Sequence, residues 1–105
     1  MPSGQAAARL AQWCRDVGWV DAGLDLARWW VSHSASHKGR DTPEHLAARA
    51  HLGAALSDAG HAIEGITLLE DVLARRRVKL GMYHQKTLHS TAELAVAYLL
   101  SLIHI

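Results

Sequence analysis

The chain repeats itself at one spacing. Displaced by 42 positions, Gly81, Leu88, Ala92, Leu94 and Ala97 fall on Gly39, Leu46, Ala50, Leu52 and Ala55. The opposite displacement places Ala8, Leu10, Asp16, Gly18, Gly23, Leu26 and Gly39 on Ala50, Leu52, Asp58, Gly60, Gly65, Leu68 and Gly81, and neither comparison needs a gap. Self-similarity with a period of this size marks a stack of identical supersecondary units. Each unit is too small to bury its own apolar face and gains a core only by packing on its neighbours. Residues 39–80 form one complete unit, against which the rest of the chain is measured.

Helical periodicity fills these units. Ala7, Leu10, Trp13, Cys14 and Val17 recur at spacings of three and four, which predicts a first helix from Gln5 ending near Gly18. Val20, Leu24, Ala27, Trp30 and Val31 share one stripe of a second, antiparallel helix ending at about Ser34. The polar run that follows, to Asp41, reads as a loop. Thr42-Pro43 is the clearest helix start: the hydroxyl can cap a free N–H, and proline at the first helical position gives up only a donor without a partner.

A third helix then extends to about Asp58, with Leu46, Ala50, Leu52, Gly53, Ala55, Leu56 and Ala59 spread over more than half its circumference. That pattern predicts a central element contacting neighbours on two sides. Gly60 supplies a left-handed residue to close it. The fourth helix, from Ala62 to Lys79, turns Ile66, Leu69, Val72 and Leu73 inward. Its terminal Arg75, Arg76, Arg77 and Lys79 read as a solvated cationic end. A fifth begins near Lys86, with Leu88, Ala92, Ala95 and Tyr98 on its expected buried stripe. Gly23 and Gly65 lie inside helices, where glycine costs about 1 kcal/mol relative to alanine, so their shared position predicts a close helix approach.

Composition narrows the function. A formal charge of +1 over 105 residues offers no general field for nucleic acid or an acidic membrane, so neither is expected as a partner. The single cysteine, Cys14, cannot form an internal disulfide and sits on an apolar stripe, which favours a buried structural role. No apolar run approaches the ~20 residues of a membrane span, and the first residues lack a leader pattern; the default location is the cytoplasm.

Within residues 39–80, Leu52, Gly53, Leu56, Gly65, Leu69 and Val72 fall at the spacings of the tetratricopeptide repeat, in which L-G-x2-Y precedes a small and then a large residue. Tyr98 and Cys14 occupy the tyrosine position in the third and first units. The entry segments Gly39-Arg-Asp-Thr-Pro-Glu-His-Leu46 and Gly81-Met-Tyr-His-Gln-Lys-Thr-Leu88 together resemble G-x-D-H-P-x-T-L. The chain thus resembles the longer, kinesin-light-chain-type tetratricopeptide repeat common in bacterial multidomain regulators. The resemblance implies an all-α, right-handed array of antiparallel helix pairs with five helices.

Unit one then covers about residues 5–38, unit two 39–80, and the first helix of unit three 81–99. Residues 100–105, Leu-Ser-Leu-Ile-His-Ile, resemble a translated sequencing adapter and are expected to be a non-native tail on a fragment. Because the fifth helix lacks its partner, an apolar face should lie open near Leu94, Tyr98 and Leu99.

Catalytic chemistry is not apparent. His33 and His37 form H-x3-H, but without the glutamate of H-E-x-x-H or a third ligand they read as a polar helix end, and no metal is expected. His45, His51, His61, His84 and His89 read as solvated or loosely bonded. Glu70 and Asp71 are expected in solvated pairs along their own helix. No phosphate-binding glycine loop or nucleophile elbow is present, and neither an enzyme nor a cofactor is expected. Trp29 and Trp30 point about 100° apart on a helix, so one is expected at the surface, either as an aromatic contact or as imperfect packing of a terminal unit.

The resemblance implies a protein-binding module. In the family it resembles, the first helices of successive units line a concave groove that holds a peptide or a partner's helix. Carried over, the groove residues are Arg9, Gln12 and Asp16, then His51, Ala54 and Asp58, then His89, Glu93 and Val96. The alternative is a regulatory segment of a larger protein that contacts its own neighbouring domains or self-associates through the open face of helix five.

Overall fold

The structure, a computed structural model, describes residues 4–38 and 42–103, with side chains from 6–34 and 42–103. Five helices follow in order: α1 Gly4–Val17, α2 Val20–Lys38, α3 Pro43–Asp58, α4 Ala62–Leu80 and α5 Gln85–Ile103. Among the described residues there is no strand. Each helix packs on the next, and α3 also touches α1 and α5, while α2 and α4 do not meet. The result is a tetratricopeptide-like solenoid with α1, α3 and α5 side by side along one face.

The local signals explain the boundaries. Thr42 Oγ1 accepts the His45 N–H at 3.2 Å ahead of Pro43. Gly18 and Gly60, in equivalent turns, have φ values of 80° and 89°, a region that costs an L-residue roughly 1–2 kcal/mol. Helix α2 runs to Lys38, past the expected stop at Ser34, and of the expected loop residues 39–41 lie outside those described. Helix α5 continues without a break through Leu100 to Ile103.

The expected close approach occurs at Gly65, and Gly53 is its partner. A Cβ added at Gly65 would lie 2.7 Å from the Gly53 carbonyl oxygen and closer still to Ser57 Oγ. A Cβ added at Gly53 would lie 2.7 Å from Leu69 Cγ. The backbones of α3 and α4 therefore meet with nothing between them. In the first hairpin a Cβ on Gly23 would stand 3.2 Å from Cys14 Cβ, a looser version of the same contact.

Among the described residues, equivalent positions differ in burial at the two ends of the array. Cys14 and Leu56 are buried, Leu56 to 4% exposure, while Tyr98, their equivalent on α5, is 45% exposed. All three face where a following helix packs, and α5 has none among the described residues. The converse holds at the other end: Ala55 and Ala97 are buried, Ala97 to 1%, whereas Trp13 at the same position on α1, where no described helix packs ahead of it, is 49% exposed. Trp13 instead packs edge-on against Trp19, ring centroids 4.9 Å apart.

Three expectations about packing change. The buried face of α5 is Thr87, Ser90 and Ala97; the stripe of Leu88, Ala92, Ala95 and Tyr98 is open, with no described helix packed over it. On α1, Leu10, Trp13 and Val17 are likewise exposed, with no described helix over them. Arg76 is not part of a solvated helix end: it is buried, and its Nη1 donates to Ser90 Oγ at 2.6 Å and to the Lys86 carbonyl at 3.2 Å. Trp30 joins Ala7 and Ala48 in the core, and Trp29 is half-buried, stacked on His33 with centroids 5.0 Å apart.

Substituting Gly65→Ala should destabilise the chain by about 1–3 kcal/mol, because overpacking against backbone outweighs the roughly 1 kcal/mol gain in helix propensity. Urea unfolding checks this; stability equal to or above the parent would mean that α3 and α4 are farther apart than described.

Candidate functional site

Two clefts open on the face made by α1, α3 and α5. One, of about 310 Å³, is lined by Gln12, Arg15, Asp16 and Trp19 with Val20, Gly23, Ala55 and Asp58. The other, of about 200 Å³, lies between α3 and α5 and is walled by Ala54, Ala92, Val96, Ala97 and Leu100, with Ser57, His89 and Glu93. Arg15 and Asp58 belong to both clefts. Arg15 Nε donates to Asp58 Oδ2 at 2.9 Å, so an ion pair linking α1 to α3 divides the groove in two.

Most of the expected groove residues come together here. Gln12 and Asp16 line the first cleft, with the Gln12 amide donating to Asp16 Oδ1 at 2.9 Å. Ala54, His89, Glu93 and Val96 line the second, and Asp58 lies between. Arg9 is exposed but lines neither. His51 sits beneath the face, its ring 5.3 Å from Trp30 and its Nδ1 buried without a hydrogen-bond partner. The expectation that it is solvated is thereby corrected. His45 is also buried, with Nδ1 2.8 Å from Ser34 Oγ.

Charges beneath this face are held in low-dielectric surroundings. Burial, reinforced by the positive fields of Arg15, His89 and Arg76, lowers the His51 pKa to about 4, so the imidazole is neutral at pH 7. Burial pushes the Glu93 carboxyl above its usual range, against the pull of His89, Arg76 and Arg15. Burial also lowers the Arg76 pKa, opposed by the nearby Glu93. On the far side of α3, Asp71 bridges Arg49 and Arg75. Burial acts to raise its pKa, but the hydrogen bonds from both guanidinium groups outweigh that and hold it below the ordinary value. Asp71 therefore ties α3 to α4 rather than only pairing along its own helix.

Arg15, Trp19, Ser57 and Leu100 were not anticipated from the sequence. Arg15 occupies the position of Ser57 in the next unit, and no spacing rule shows that a side chain there reaches across to Asp58. Trp19 lies in the turn after Gly18, outside the helical stripe by which groove residues are counted. Among the described residues no group of three or more His, Cys, Asp or Glu could hold a metal ion. His33 lies on α2, and the side chain of His37 lies outside the described set. No helix of the described residues is long and apolar enough to cross a membrane.

The pairing of successive helices at a 42-residue period gives the chain the fold of a tetratricopeptide-like repeat array. It is similar to a crystal structure of nearly identical TPR-like repeats from Podosopora anserina, in a chain assigned to the kinesin light chains, with 28% identity and a TM-score of 0.84; the match covers 94% of this chain and 48% of that one. A single-substitution variant of that protein matches at 29% identity and a TM-score of 0.81, over 90% of this chain and 45% of the other. The chain therefore spans about half the length of its structural neighbours. No family model and no curated protein matches it. Repeats of this kind commonly serve as surfaces for protein–protein contact.

The neutral His51 makes stability pH-dependent. Its folded pKa of about 4 lies below the unfolded value of 6.5, so the unfolded chain binds the extra proton, and stability falls as pH drops from 6.5 toward 4. The loss should reach about 2–3 kcal/mol. Glu93 acts in the opposite sense: its raised folded pKa favours the folded state below the unfolded value and loses that contribution as pH rises through the folded value. His51→Leu isolates the histidine. The variant should be no less stable than the parent at pH 7, because Nδ1 has no partner to lose, and should lose far less stability between pH 6.5 and 4. Urea titrations of both proteins across that range provide the measurement.

Proposed function

We propose that this chain is a non-enzymatic protein-interaction module that holds an extended peptide, or a helix of a partner, along the groove formed by α1, α3 and α5. The observation that carries this reading is the pair of clefts meeting at the Arg15–Asp58 bridge, which draw Gln12, Asp16, Ala54, Asp58, His89, Glu93 and Val96 onto one face. Clefts with apolar floors and a few fixed polar groups suit the alternating side chains of an extended segment. The mixed charge favours a polar peptide over a lipid surface or nucleic acid. The neighbours' TPR-like repeats support the fold on which this reading depends.

A second reading is favoured by the open edge of the array. Tyr98, Leu99 and Leu102 are exposed together on α5, a face suited to self-association or to a neighbouring domain of a larger regulatory protein.

Variants at exposed positions separate the two readings. Peptides selected from a random display library against the full chain should bind Asp16→Lys and Val96→Glu at least about tenfold more weakly than the parent, a loss of ~1.4 kcal/mol. Light scattering should show the oligomeric state unchanged in both. Equal binding by the parent and both variants would rule out the groove. A Tyr98→Glu substitution that dissociates an oligomer while leaving peptide affinity intact would instead favour the edge of α5.

A further inference from the structure

The α3–α5 cleft contains an acceptor that no donor among the described residues satisfies. Glu93 projects from α5 with its side chain only 12% exposed, and its Oε1 is buried without a hydrogen-bond donor. Nearby cations are engaged elsewhere. Arg15 Nε donates to Asp58, and Arg76 Nη1 donates to Ser90 Oγ and the Lys86 carbonyl. His89 Nε2 stands 3.5 Å from Glu93 Oε1, close enough for attraction but too far for a well-formed hydrogen bond. An acceptor left unsatisfied by burial is costly, so a ligand that brings a donor to it gains what the folded chain forgoes.

The other walls restrict what can carry that donor. Besides Ser57, His89 and the mutually paired Arg15 and Asp58, the lining is Ala54, Ala92, Val96, Ala97 and Leu100, which offer only apolar contact, in a space of about 200 Å³. An occupant that fits is apolar along its length and a donor at its tip. Resting on the peptide-groove reading, we propose that this cleft is a subsite for a lysine side chain of the bound peptide, its methylene stem along Ala92 and Val96 and its ammonium donating to the Glu93 carboxylate.

Lysine suits the cleft better than the alternatives. Its stem buries readily against apolar surface while the compact head remains free to bond, whereas a guanidinium needs a planar set of acceptors to satisfy its five donors. A norleucine side chain would fill the same volume and leave Oε1 without a donor. An acidic side chain would face Glu93 across apolar walls. Arg76 already acts on Glu93 from α4, so the ammonium contributes a directed donor as well as charge.

The test uses the full chain and small probes. N-acetyl-lysine methylamide, its norleucine counterpart and its glutamate counterpart are titrated into isotope-labelled protein, with binding read from the methyl resonances of Ala54, Ala92 and Val96. The lysine compound should bind at least about fivefold more tightly than the norleucine compound, the scale of one charge-assisted hydrogen bond at a partly open site. In Glu93→Gln, which keeps the shape of the side chain, the preference should fall to about twofold or less. The proposal is overturned if norleucine binds as well as lysine, if glutamate binds more tightly, if Glu93→Gln leaves the preference intact, or if no probe gives saturable shifts. Display-selected peptides that occupy the groove without any lysine preference would leave the groove reading standing and remove this one. Peptides that ignore the groove while the lysine probe still depends on Glu93 would do the reverse.

Discussion

Direct backbone contact between α3 and α4 at Gly53 and Gly65 governs the rest of the architecture. Two glycines facing each other let the helices approach so closely that the Gly53 carbonyl and Ser57 occupy the space a Cβ on Gly65 would need. With α4 drawn in, Leu69 and Val72 become fully buried, and α3 can be enclosed along most of its circumference. That enclosure is why α3 contacts every other helix. The unfavourable helix propensity of both glycines, about 1 kcal/mol each, is offset by the apolar area that the close approach removes from water.

Polar groups then link the layers where apolar contact is thin. Arg15 reaches Asp58 between α1 and α3, His45 meets Ser34 between α2 and α3, Asp71 joins α4 to Arg49 of α3, and Arg76 crosses from α4 to Ser90 on α5. All four ties converge on the middle hairpin from its neighbours or join its own helices. Ties of this kind, buried at Ser34–His45 and Arg76–Ser90 and partly buried at the two ion pairs, add little net stability, but breaking one leaves a partly desolvated group behind, which favours a single register between helices. The groove inherits this arrangement: its central divider, Arg15–Asp58, is itself one of the ties.

How much of this could be read in advance depended on whether the cause was local. The 42-residue period, the Thr42-Pro43 start and the paired glycines act through neighbouring backbone, and the helices follow them closely. Periodicity identifies the residues that share a face but not which neighbour will cover it. For that reason Leu88, Ala92, Ala95 and Tyr98 could be grouped on α5 while being assigned to the wrong side. Arg76 and His51 were misjudged for a different reason: in a run of basic residues or a scatter of histidines, local chemistry does not reveal which side chain a distant helix will desolvate. Of the residues carried over from the repeat pattern, Arg9 on α1 and His51 on α3 line neither cleft, because spacing along a helix gives the face but not how deep a neighbouring helix buries it.

Contact runs mainly from each helix to the next, and α2 never meets α4, so the array behaves mechanically as a short zipper with a clasp at its centre. Opening begins most easily at its two ends, where Trp13 on α1 and Tyr98 on α5 already face water. A segment laid across α1, α3 and α5 would bridge both loose ends to the clasp. Occupancy of the groove and cohesion of the array would then be one coupled equilibrium, with the ligand acting as an external brace.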